Sequence, residues 1–104
     1  MEGRFKYSFG QDIVYSPCSF TPYQDLFLIP EIHARIALLD FQKKLVCYLG
    51  ENVPIVDIEG WPELPVTLIQ PGKFISPHAV AVDQKRNLYV VEWMVGGRIT
   101  KLLR

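Results

Sequence analysis

The chain has 104 residues, 49% of them hydrophobic and 12% aromatic, enough for one small domain with one modest core and too apolar for a disordered chain. Eleven Lys plus Arg balance eleven Asp plus Glu, so there is no basic footprint for nucleic acid or for an anionic membrane surface. No apolar run approaches the roughly 20 residues that cross a bilayer, and MEGRFKYSFG lacks the apolar stretch of a secretory signal. The expectation is a soluble, cytoplasmic protein whose two cysteines, Cys18 and Cys47, are free thiols serving as small apolar packers.

Arg4–Gly10 (RFKYSFG) alternates Phe5, Tyr7 and Phe9 with polar residues, the period of a strand with one buried face. Ser16-Pro17-Cys18 then opens an apolar run through Tyr23. Asp25–Pro30 (DLFLIP), Arg35–Asp40 (RIALLD) and Lys44–Gly50 (KLVCYLG) are further strand candidates, with turns at Glu31-Ile32-His33 and Gln42-Lys43. Residues 51–72 carry Pro54, Pro62, Pro65 and Pro71 together with Trp61, a density of proline that argues against a long helix and predicts an apolar loop serving as a contact surface. Finally His78–Asp83, Asn87–Trp93 and Arg98–Leu103 read as strand, turn, strand, turn, strand.

The chain repeats itself. Ser16-Pro17-Cys18 recurs as Ser76-Pro77-His78, Glu31 falls over Glu92, Arg35-Ile36 over Arg98-Ile99, and Arg4–Gly10 over the strand ending at Gly50. With four strand types A to D, the order is D, A, B, C, D, A, B, C: strand 4–10, blade one over 15–50, the inserted loop 51–72, and strands A to C of blade two over 76–104. A D strand with no blade before it, and a last blade with no D behind it, predict that Arg4–Gly10 of one copy pairs with strand C of another. Phe5, Tyr7, Phe9, Ile99 and Leu103 would then form the interface.

The stretches DLFLIPEIHARIALLD, KLVCYLGE and PGKFISPHAVAVDQKRNLYVVEWMVGGRITKL resemble NHL-repeat β-propeller proteins, as does GRFKYSFG. That resemblance implies an all-β fold of four-stranded blades, usually six to a chain. Two blades per chain imply a homotrimer that closes a six-bladed ring by strand exchange. On that architecture the chain is a binding or scaffold module, offering its rim and channel to a peptide, a protein or a small ligand.

Candidate rim residues are His33, His78, Glu31, Glu92, Arg35, Arg98 and Trp93. The repeated Glu and Arg read either as a ring of charges around a channel or as an ion pair fixing the B-to-C turn, and repetition in both blades favours the pair. Trp93 and Trp61 can stack on a ligand or pack an interface. No cofactor is expected from any motif. The alternative is an axial zinc held by three copies of His78, as similarity to the NHL-type lyases implies, which would make the protein a metal-dependent lyase or hydrolase. Asp83 is a turn residue.

Overall fold

The computed structural model describes residues 2–104. Seven strands form two antiparallel sheets. The first runs in the order β1 (Thr21–Tyr23), β2 (Leu26–Glu31), β3 (Arg35–Asp40), β4 (Leu45–Leu49), and the second in the order β5 (Pro77–Val82), β6 (Leu88–Glu92), β7 (Arg98–Leu102). Each sheet is a meander, as expected where short turns join strands that follow one another along the chain. The repeat seen in the sequence is therefore a repeat of structure, four strands and then three. Among the described residues no helix is long and apolar enough to cross a membrane.

The strand faces follow the alternation of side chains. Leu28 and Ile36 of the first sheet pack against Val80, Leu88 and Val90 of the second, with Phe74 filling the space between them. The sheets thus meet face to face over one apolar layer. β1 and β2 lie against β5, and the Thr21 hydroxyl donates to the Val80 carbonyl at 3.0 Å. The other face of the first sheet, carrying Ile29, Ala37 and Leu39, is partly covered by Ile13 and Val14. That covering stretch is held in a turn by the Ile13 and Val14 N–H groups on the Gly10 carbonyl, at 3.0 and 2.9 Å.

The same local devices serve both sheets. Ile32 N–H donates to the Ser16 carbonyl (3.2 Å), and Trp93 N–H to that of Ser76 (3.0 Å). Asp40 and Asp83 each open a hairpin turn, with Lys43 and Arg86 at φ of 67° in the left-handed region. The Asp40 carboxylate accepts from Lys44 N–H, and that of Asp83 from Lys85 and Asn87 N–H. A short acidic side chain bonding the backbone ahead of it is what such a turn selects.

Three features depart from the expected layout. β1 is only three residues long, because the chain pairs as an isolated bridge at Pro17 with Glu31 and then leaves the sheet, Phe20 stacking on Phe27 at 4.6 Å, before rejoining at Thr21. Residues 4–10 have no strand partner among the described residues, and Phe5, Tyr7 and Phe9 are exposed. Cys47 is exposed as well, because β4 is the outermost strand of its sheet, whereas Cys18 is half-buried. Both thiols are free.

The inserted segment is a folded part of the chain. It holds two single 3-10 turns, Val53–Asp57 and Val66–Leu68, and its Ile55 and Leu64 bury against Ala34, Ile75 and Met94. Ala34 belongs to the β2–β3 turn and Met94 to the β6–β7 turn. The insert therefore ties the equivalent turns of both sheets into a second core.

Candidate functional site

The site grows from the β2–β3 turn. Ala34 sits at its end with φ of 67°, where the second sheet has Gly97 at 65°. Ala34 is fully buried and its carbonyl accepts from Asn52 N–H at 2.9 Å. This tie fixes the turn against the insert, so His33 just before it has one place to go. Its ring lies 4.4 Å from that of Tyr15, edge on, and 5.3 Å from that of Trp61. The indole is itself fixed, its N–H donating to the Ile75 carbonyl at 2.8 Å. His33 Nδ1 is buried with no hydrogen-bond partner among the described residues.

Around these rings opens a cleft of about 660 Å³, lined also by Tyr48, Arg35, Asp12 and Asp57. Its size falls within the range of small-ligand sites, roughly 300–1,000 Å³.

Arg35 forms one wall and is fully occupied. Its Nε donates to Glu31 Oε2 at 2.9 Å, Nη2 to Glu31 Oε1 at 3.3 Å, and Nη1 to Glu51 Oε2 at 2.9 Å. The guanidinium face lies 3.7 Å from the centre of the Tyr48 ring. Glu31, completely buried, also accepts the Tyr15 N–H. A guanidinium with its edge and face both engaged has little left with which to draw in an anion.

The second sheet repeats this clasp. The Glu92 carboxylate accepts from Ile75 N–H (2.6 Å), from Ser76 N–H (3.2 Å) and from Arg98 Nε. The Arg98 Nη groups reach the carbonyls of Lys73 and Gln70. The structure thus places Glu31 with Arg35 and Glu92 with Arg98 as two matching buried pairs, each holding a turn and the segment leading into strand A. Neither carboxylate opens to solvent in the single chain.

His78 lies elsewhere. It is exposed on β5 with its ring 6.1 Å from that of Trp93, in an open groove of about 450 Å³ bordered by Val91 and Glu92. The two histidines line different cavities. Among the described residues there is no group of three or more potential metal ligands. Glu92 borders the groove beside His78, but its carboxylate is buried and committed to Arg98 and two N–H groups, so the residues of one chain do not fit a zinc site there.

The cleft brings together Tyr15, Tyr48, Asp12 and Asp57 with His33 and Trp61, residues from four separate segments of the chain. Of these only His33 and Trp61 carried a signal in the sequence. Tyr15, Asp12 and Asp57 lie on connections whose spacing follows no period, Tyr48 lies on β4, and only the folding of the insert reveals them as neighbours. Comparison of the chain with protein-family models, with curated proteins and with solved structures gives no match.

Proposed function

We propose that this chain is a propeller-type binding module of the NHL kind, in which copies join head to tail into a six-bladed ring of three. Residues 4–10 of one copy add as a strand beside β7 of the next. The ring carries the His33 cleft as its ligand-binding surface.

The observation that supports this reading is the apolar surface left bare on both outer sides of the blade pair. On the β5–β7 side Ile99 is 71% exposed and Leu103 78%, with Val91 and Trp93 beside them. On the opposite side Phe5 is 78% exposed and Tyr7 57%. Among the described residues, β7 ends its sheet with an unpaired edge, and residues 4–10 pair with no strand. Bare edges and contiguous apolar surface are hazards unless covered, and two different complementary surfaces on one molecule favour a head-to-tail contact.

Magnitudes agree. In the single chain, Lys43 stands 5.1 Å from the Tyr7 ring and 5.7 Å from that of Phe9. Such exposed cation–π contacts are worth about 0.5–1 kcal/mol each. Burying a side chain the size of Phe or Ile returns about 1.5–3 kcal/mol, so exchange is favoured once a partner is present.

The test is a solution mass by light scattering. The expected value is about 36 kDa, three times the 12.0 kDa chain. Phe5→Asp with Ile99→Asp should give a folded monomer, because both side chains are already exposed in one chain. A 12.0 kDa particle at every concentration, or an unchanged mass in the double variant, would refute the assembly.

A further inference from the structure

We propose that the His33 cleft binds an organic cation of side-chain size, the ammonium or guanidinium of a lysine or arginine in a peptide. This rests on the cleft being a binding site and is independent of ring closure, because every lining residue comes from one chain.

Three observations point the same way. The first is charge. Asp12 and Asp57 line the cleft, both are exposed, and among the described residues neither takes part in an ion pair. The cation in the wall is Arg35, which faces two carboxylates of its own, Glu31 and Glu51. Counting these partners, one positive charge stands against four negative ones, so the field at the mouth attracts cations and repels anions.

The second is the aromatic lining. Tyr15, His33 and Trp61 stack in sequence, and the bond from the Trp61 N–H to the Ile75 carbonyl holds the indole in place. A cation above aromatic faces is attracted by their quadrupole, most strongly for Trp. This cleft already displays the arrangement once, in the Arg35 guanidinium over Tyr48. An aliphatic stem such as that of Lys or Arg would rest on the same apolar rings and on Val53 and Val56, leaving its charged end among the carboxylates.

The third is the unpartnered Nδ1 of His33. It belongs to the middle ring of the three and is buried with no hydrogen-bond partner among the described residues. A buried polar atom without a partner costs free energy unless something satisfies it. As an acceptor it fits a ligand N–H, the one type of polar group that both ammonium and guanidinium supply.

The experiment uses the whole chain with Trp93→Phe, which leaves Trp61 as the fluorophore. Four probes are titrated: the N-acetyl amides of arginine, lysine, glutamine and glutamate. The expected result is saturable quenching by the arginine and lysine derivatives with Kd on the order of 1 mM, and none by glutamate. Asp12→Asn with Asp57→Asn should weaken binding by about fivefold for each carboxylate removed, and high salt should weaken it too. Both aspartates are exposed, so thermal melts of the variant should match the parent.

If glutamine or glutamate amide binds as tightly as arginine amide, or the double variant binds as well as its parent, the cation preference is overturned while the cleft survives as a site. If no probe gives a saturable change, the cleft is not a binding site and both readings of it fall. Free butylamine and methylguanidine separate the sources: the proposal expects binding at least about tenfold weaker than the acetyl amides, since the backbone groups are missing, and equal affinity would overturn the peptide assignment.

Discussion

Replacing Glu92 by Gln tests the clasp that both sheets share. The side chain is almost the same size, so packing around it is kept, but the charge is lost. The carbonyl of the introduced amide could still accept from Ile75 and Ser76 N–H, whereas its nitrogen would face Arg98 Nε, donor against donor. The Glu92 side chain has no solvent exposure and that of Arg98 only 15%, so water cannot easily repair the loss. Removing one partner of a buried pair costs about 3–5 kcal/mol. Arg98 keeps its bonds to the Lys73 and Gln70 carbonyls, which brings the expected cost to about 2–4 kcal/mol. Against a total stability of about 5–15 kcal/mol this is a large fraction. At about 4–8 °C per kcal/mol for a domain of this size, Tm should fall by about 10 °C or more. Circular dichroism melts at one fixed protein concentration measure it. Arg98→Met in the Glu92→Gln background should add less than it does alone, because the two residues act as a unit. A midpoint within about 2 °C of the parent, or strictly additive losses, would refute the clasp as a stabilising element.

Gly50→Ala should destabilise the fold. Gly50 has φ of 63°, and a Cβ there would run into the ring of Phe74, which is buried between the sheets. Overpacking of this kind costs about 1–3 kcal/mol, and the left-handed backbone adds about 1 kcal/mol, readable as a lower urea midpoint; an unchanged midpoint would contradict the packing. The Asp83 carboxylate should titrate at about 2 instead of 3.8, held down first by the Asn87 side chain, then by the Asn87 N–H, with smaller help from Tyr89 and Lys85. Because its folded value lies below the unfolded one, its contribution is complete above about pH 4 and is lost as pH falls toward 2. Carboxyl-carbon NMR should show that midpoint, and Asn87→Ala should move it upward; a midpoint near 3.8 in the parent would rule out the turn network.

The strands that sit in a meander were legible because alternation and turn residues coincide. Arg35–Asp40 reads as a strand at both ends and is one, flanked by a turn residue in the left-handed region on either side, Ala34 and Lys43. The Glu and Arg that recur in both halves announced themselves by repetition, and burial explains why they recur. Residues 51–72 were opaque for a physical reason. Their apolar side chains follow neither period two nor period 3.6, since they pack against turns from two different sheets. The cleft shares that opacity. Tyr15 and Trp61 stand 46 positions apart in the sequence and meet only through His33. Nothing local in either segment says so. The shortness of β1 was not legible: the run from Ser16 to Tyr23 reads as one strand, but it pairs with β2 at Pro17 and Cys18, breaks, and pairs again from Thr21.

The insert grips equivalent ends of both sheets, and this gives the molecule a spine. At the opposite margin, where the hairpins opened by Asp40 and Asp83 lie, the sheets are joined by a side-chain bond, the Tyr23 hydroxyl donating to the Arg86 carbonyl at 3.0 Å. One end of the sheet pair is thus held by the buried core that the insert builds, and the rest by the apolar layer between the sheets.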